Sequence, residues 1–218
     1  MKRTQRSAAT KILFIGNSFT QRNNLPELLA AMAAERDVPI QHKLISAGGA
    51  SLRTHWNPGH AAKEIATGKY SYVVLQEQST LPVKNALRMA ENVRLFDEII
   101  REAGSKTVLF MTWARQNAPE SQKAITDAYN AIGKEVGAIV VPVGLAWQQF
   151  TAKHDSPLLY NRDQSHPSPA GSYFAVCVFL TTLFGINPVG IEAGAIELAA
   201  TDRTILQRAA WQQRSRRK

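Results

Sequence analysis

Two short stretches near opposite ends of the 218-residue chain carry most of its chemical potential. The first is Gly16-Asn17-Ser18-Phe19-Thr20 and the second is Asp163-Gln164-Ser165-His166-Pro167. Together they supply a hydroxyl, an imidazole and a carboxylate, the set that acyl transfer needs. A serine hydroxyl is a weak nucleophile until a base takes its proton. Histidine can do so near neutral pH, and a carboxylate fixes the imidazole tautomer and stabilises the imidazolium. The tetrahedral intermediate further needs hydrogen-bond donors aimed at its oxyanion. Glycines in a tight turn can present a backbone N–H outward, which makes Gly48-Gly49 a candidate. Gln76-Glu77-Gln78-Ser79 adds side-chain amides.

Each piece has a plainer use. Gly-Asn-Ser is also a common turn or helix cap, and Asp163 with His166 could be an Asx-turn beside a surface histidine. What favours chemistry is their conjunction, in order, at the ends of strands. His55 and His60 flank Trp56-Asn57-Pro58-Gly59 and read as a capped loop around a packed tryptophan; Trp56 and Trp113 could stack on a sugar ring if they faced the site, but packing is the simpler account of both. His42 reads as structural or exposed, and His154 beside Asp155 as solvent-facing. No metal is expected, because the five-residue spacing of His55 and His60 does not match a helical ligand pair. No cofactor is expected either: the chain has neither a P-loop nor a dinucleotide fingerprint.

The elements that would position these residues are legible from periodicity. Residues 11–16, 39–46, 70–75, 106–113 and 138–143 read as strands. Helices are expected at 25–36, from Ser51 to about 57, in a short piece to 67, and at 87–103, 121–136, 145–153, 169–184 and 191–213. Residues 17–24 and 155–168 read as loops. Strands apolar on both faces alternate with helices, which predicts a parallel sheet covered on both sides, a three-layer α/β/α sandwich of five strands. Ligands in such sheets bind beyond the carboxyl ends of the strands.

The residues resemble the SGNH (GDSL-like) hydrolases. Gly16-Asn17-Ser18 is similar to that family's first block, where Gly-Asp-Ser is commonest, and Asp163-x-x-His166-Pro167 to its last. The resemblance spans nearly the whole chain. It implies a flavodoxin-like SGNH hydrolase fold, Ser18 as nucleophile, His166 as base and Asp163 as its orienting partner. It also implies an oxyanion hole built from the Ser18 N–H, a glycine N–H after the second strand and a side-chain amide after the third. The glycine is Gly48 or Gly49; Gly49 is preferred because it directly precedes the helix start at Ser51. The family's third block usually reads Gly-x-Asn-Asp, which is absent here; Gln78 stands at the matching place with the same amide on a longer stem. Gln-Glu-Gln-Ser resembles a less characterised branch. The implied activity is hydrolysis of carboxylic esters through an acyl-serine, as a carboxylesterase or acetylesterase, with a short acyl group and an O-acetylated carbohydrate among the candidate substrates. The alternative is a non-catalytic α/β module that binds carbohydrate or another polar ligand in the same cleft.

Composition fits one domain, residues 11–213, between a basic N-terminal tail, 1–10, and a basic C-terminal tail, 214–218. The net charge is +9. Much of the excess lies in Lys2, Arg3, Arg6 and Lys11 and in Arg208, Arg214, Arg216, Arg217 and Lys218, with no basic stripe inside the domain, so no specific nucleic-acid partner is expected. The single cysteine, Cys177, allows no internal disulfide and reads as a buried thiol. No apolar stretch is long enough for a membrane span, residues 1–10 hold no apolar signal core, and a cytoplasmic location is expected for the chain as given.

Overall fold

The computed structural model describes residues 8–192 and 197–215. Strand β1, Thr10–Gly16, lies second from one edge of a five-stranded sheet. Its neighbours are β2, Ile40–Ser46, and β3, Tyr72–Leu75; beyond β3 lie β4, Lys106–Phe110, and β5, Ile139–Val141. All pairings are parallel and the order is β2-β1-β3-β4-β5. Side chains alternate in direction along a strand, so each face of the sheet collects every second residue. Ile12, Phe14, Val74, Val108, Phe110 and Val141 face one buried cluster, and Leu13, Ile15, Val73, Leu75 and Leu109 the other.

Helices cover both faces, as sequence periodicity predicts. The first face packs α2 (Leu25–Ala34), α8 (Val143–Thr151), α9 (Pro169–Phe179) and α10 (Ala200–Ser215). The second packs α3 (Leu52–Trp56), α4 (His60–Gly68), α6 (Ala86–Glu102) and α7 (Gln122–Val136). Residues 170–179 of α9 are all buried, so this helix has no polar face and runs through the core. Cys177 sits within it, and burial pushes its thiol well above the usual range. No helix among the described residues is long and apolar enough to cross a membrane.

Several expectations need correction. Residues 17–24 are not a plain loop. Ser18–Gln21 form a one-turn helix, α1, capped by the Asn17 side chain, and a further turn runs from Arg22 to Asn24. β4 and β5 stop at Phe110 and Val141, short of 113 and 143. A short helix missed in sequence, α5, occupies Leu81–Lys84. The last helix starts at Ala200 rather than 191: residues 191–192 and 197–199 carry no regular structure, and 193–196 lie outside the described residues. It then extends to Ser215, into the expected C-terminal tail, while β1 begins at Thr10, inside the expected N-terminal one. Lys2, Arg3, Arg6, Arg216, Arg217 and Lys218 lie outside the described residues, as does the side chain of Arg214.

Candidate functional site

Parallel register brings three loops to one edge. Ile15 pairs with Ile45 on one side and Leu75 on the other, so β1, β2 and β3 end at nearly the same level. Ser18, the 47–50 turn and residues 76–78 therefore leave the sheet side by side. Gly16 is packed tightly there: a Cβ would stand 2.7 Å from Gln76 Oε1 and 2.9 Å from Thr20 Oγ1. Asn17 is the joint of the arrangement. Its N–H donates to Gln76 Oε1 at 2.9 Å, its Oδ1 accepts from the Phe19 N–H at 3.1 Å, and its Nδ2 donates to the Ala50 carbonyl at 2.9 Å. The last bond ties the glycine turn to the serine.

Ser18 opens α1, where the first N–H groups of a helix have no intrahelical acceptor. Its Oγ lies 2.9 Å from His166 Nε2. His166 Nδ1 lies 2.6 Å from Asp163 Oδ2. Asp163 Oδ1 also accepts from the N–H groups of His166 at 2.9 Å and Ser165 at 3.0 Å. Those donors, the His166 N–H foremost, hold the Asp163 carboxyl down at about 2. Because Nδ1 faces a carboxylate, it carries the proton and Nε2 is left to accept from the serine hydroxyl. The three residues that the two motifs single out thus meet in one chain of hydrogen bonds.

The loop bearing His166 is fastened from several sides. Trp113 Nε1 donates to the Ser165 carbonyl at 3.0 Å, and its ring is sandwiched between Phe19 at 4.8 Å and Trp147 at 4.0 Å. The edge of Phe19 meets the His166 ring at 5.4 Å. Asn23 Nδ2 donates to the Ser168 carbonyl at 3.1 Å and to Ser172 Oγ at 2.8 Å. Asn23 and Asn24 reach these places with φ of 55° and 51°, the left-handed region that asparagine tolerates better than most side chains.

The other candidates fall out as follows. Gly49 has φ +66° in an exposed turn closed by the Ala50 N–H on the Ala47 carbonyl at 3.2 Å. Gln78 is half-buried; its Oε1 accepts from the Thr80 N–H, the Thr80 hydroxyl and the Leu81 N–H, and its Nε2 carries none of these bonds. Trp113 is buried behind Phe19 and Trp56 packs edge-on against Phe96, so both serve packing. His42 pairs with Glu27 at 2.9 Å, and His154 is exposed and stacks on Phe150. Among the described residues no group of three His, Cys, Asp or Glu is placed to hold a metal. Sequence reasoning missed the polar bed below the serine: Gln76, Glu77, Asn92 and His55 are buried, and His55 Nε2 donates to the Gly16 carbonyl at 2.7 Å. A signal existed in Gln76 and Glu77, two polar residues ending an apolar strand.

Solved structures share this layout. A protein from Slackia heliotrinireducens assigned to the SGNH hydrolases superposes with a TM-score of 0.70 at 27% identity, over 81% of this chain and 100% of its own. The fold is that of the SGNH hydrolases. A DUF4886 family protein from Bacteroides uniformis ATCC 8492 matches this SGNH-fold chain over 95% of both lengths, with a TM-score of 0.80 and 20% identity. A variant of Axe2, an acetyl xylan esterase from Geobacillus stearothermophilus, gives a TM-score of 0.55 at 17% identity over 86% of this chain and 97% of its own. The chain matches no protein-family model and no curated protein.

Proposed function

We propose that the protein is a serine esterase that cleaves carboxylic esters at Ser18. His166 Nε2 takes the hydroxyl proton as Oγ attacks the ester carbonyl. The tetrahedral intermediate collapses, His166 returns that proton to the leaving alcohol, and the acyl group stays on Ser18. Water, deprotonated by His166, then attacks the acyl carbon and releases the acid and free serine. Asp163 keeps the imidazole in the tautomer that can accept at Nε2 and offsets its positive charge. The oxyanion is held by the Ser18 N–H, the Gly49 N–H and the Gln78 side-chain amide, all on loops leaving one edge of the sheet.

What carries this reading is the bond of 2.9 Å between Ser18 Oγ and His166 Nε2, continued at 2.6 Å to Asp163. The SGNH fold supports hydrolysis in general. For the substrate, the proposal is a short acyl group on a polar, carbohydrate-like alcohol. A groove lined by Asn23, Asn24, Glu27, Leu28 and Pro169 supports it, with the Asn24 amide and the Glu27 carboxylate, itself paired with His42, beside apolar Leu28 and Pro169.

The test is to compare wild type with Ser18→Ala on aryl esters of rising chain length and on acetylated sugars, with fluorophosphonate labelling in parallel. The wild type should label at Ser18 and prefer acetyl esters. The variant should stay folded, fail to label and lose several orders of magnitude in rate. A variant that keeps most of its activity ends the proposal.

A further inference from the structure

Between the turn that carries Gly49 and the side chain of Gln78 lies a carboxylate the triad does not touch. Glu77 is 1% exposed. Its Oε1 accepts from the Leu52 N–H at 3.0 Å and the Gln78 N–H at 2.7 Å, and its Oε2 accepts from Asn92 Nδ2 at 2.8 Å. Asn92, as buried as Glu77, accepts in turn from Arg53 Nε at 3.0 Å. Tyr129 stands near; its phenol is pushed up first by burial and then by the negative charge of Glu77.

A buried charge is a poor way to gain stability alone, since well-packed apolar side chains of similar volume often serve as well or better. What a carboxylate does here and an apolar group cannot is grip backbone from two loops through one oxygen. Leu52 is the first residue of α3 and lies three positions after Gly49. Gln78 is the expected amide donor itself.

We propose that Glu77 is a positioning residue: it sets the spacing between the Gly49 turn and Gln78, so that both donors meet the oxyanion without rearranging. The inference rests on the esterase reading above. Glu77 thereby acts on the transition state rather than on substrate binding.

The direction of the hydrogen bonds makes it testable. Arg53 gives to Asn92, Asn92 gives to Glu77, and two backbone amides give to Glu77. In Glu77→Gln the new amide nitrogen faces Asn92 Nδ2, donor against donor. Turning Asn92 over only moves the conflict to Arg53. Adding Asn92→Asp removes it, because the carboxylate then accepts from both sides. Glu77→Gln should lower kcat about 10- to 100-fold with KM little changed, the size expected when an oxyanion donor is displaced. Affinity for a trifluoromethyl ketone, which forms the tetrahedral adduct, should fall in step with kcat/KM. Affinity for the product alcohol should not.

Glu77→Gln combined with Asn92→Asp should recover most of kcat. Rates are referred to sites titrated with a fluorophosphonate, so unfolded protein is not counted. If Glu77→Gln does not fold, Asn92→Ala, which loosens the carboxylate on one side, should still lower kcat several-fold with KM unchanged. Unchanged kcat and ketone affinity per titrated site, in whichever of these variants folds, overturns the proposal. So does a loss confined to KM. Ser18→Ala runs alongside. If it is inert while Glu77→Gln is normal, only this inference fails; if it remains active, the esterase reading fails and takes this inference with it.

Discussion

Gly16→Ala probes how Ser18, the proposed nucleophile, is held. Gly16 ends β1, two residues before Ser18, and its φ is not in the left-handed region, so the backbone itself tolerates alanine. The added methyl has no room. Its carbon would stand 2.7 Å from Gln76 Oε1, 2.9 Å from Thr20 Oγ1 and 3.0 Å from Gln76 Cβ. Gln76 is fully buried and cannot simply swing aside, because its Oε1 accepts from the Asn17 N–H at 2.9 Å and from the Thr20 hydroxyl at 3.0 Å. Making space breaks one of these bonds or shifts the loop. Overpacking costs about 1–3 kcal/mol, and a lost buried hydrogen bond about 1 kcal/mol more. The total, about 2–4 kcal/mol, is a large part of the 5–15 kcal/mol typical of a domain. It corresponds to a melting temperature lower by about 5–15 °C for a chain of this length. Because the shifted bond fixes Asn17, Ser18 moves with it, and a misplacement of about 1 Å can cost about 10²-fold in rate. Thermal unfolding followed by circular dichroism and initial rates on an acetyl aryl ester read both effects. Gly48→Ala is the control, since a Cβ there meets nothing within 4 Å. It should melt with the wild type. If Gly16→Ala also does, at full rate, then the Gln76 bridge does not hold the nucleophile and the packing argument is wrong.

Three further outcomes are expected. The Asp163 carboxyl is depressed from its ordinary 3.8 to about 2, so its contribution to stability is present above the ordinary value and is lost only as pH falls through about 2; hydrolysis measured from pH 3 to 8 should show no limb assignable to Asp163, whereas Asp163→Asn should lower kcat about 10²- to 10⁴-fold at every pH in that range. Gln78→Glu keeps the oxygen that caps Thr80 and Leu81 but replaces the amide donor with an acceptor, so stability should hold while kcat drops at least about 10²-fold; an active variant would return Gln78 to a capping role alone. Trp113→Phe keeps an aromatic ring between Phe19 and Trp147 but removes the N–H bonded to the Ser165 carbonyl. It should cost about 1 kcal/mol in urea unfolding and lower kcat several-fold by loosening the His166 loop.

The parts of the molecule that follow from local pattern were readable in the sequence, and the parts made by distant contacts were not. β1, β3 and β4 are legible as apolar runs because burial on both faces leaves no polar alternation to obscure them, whereas the edge strand β2 carries Gln41, His42 and Lys43. The order Gly16-Asn17-Ser18 then Asp163-x-x-His166 was readable for a similar reason: each motif is contiguous. α1 is not legible in sequence because its cap, Asn17, is held by distant partners that no window along the chain contains: its side chain donates to the Ala50 carbonyl and its N–H to Gln76 Oε1. The same holds for Glu77 with Leu52 and Asn92, and for Asn23 with Ser172. The last helix starts at Ala200, later than the apolar pattern from Ile191 suggests, and its true start depends on contacts that the pattern alone does not contain. For Trp113 packing is the simpler reading in sequence, and the structure supplies the partners, Phe19 and Trp147, that sequence does not name.

The position of α9 bears on how such a chain is made. Its buried residues supply much of the cover for Phe14, Phe110 and Val141, yet they are translated after the whole sheet. A ribosome-bound chain that has released β5 but not residue 163 carries a finished sheet with one face covered only in part, by α2 and α8, and it also lacks the segment that brings the imidazole to the serine. Such a nascent chain exposes apolar surface that the finished fold buries. Stop codons placed ahead of 169 should therefore yield insoluble, chaperone-bound product rather than a smaller working domain, and slow decoding just before that point should lower the yield of the full-length protein.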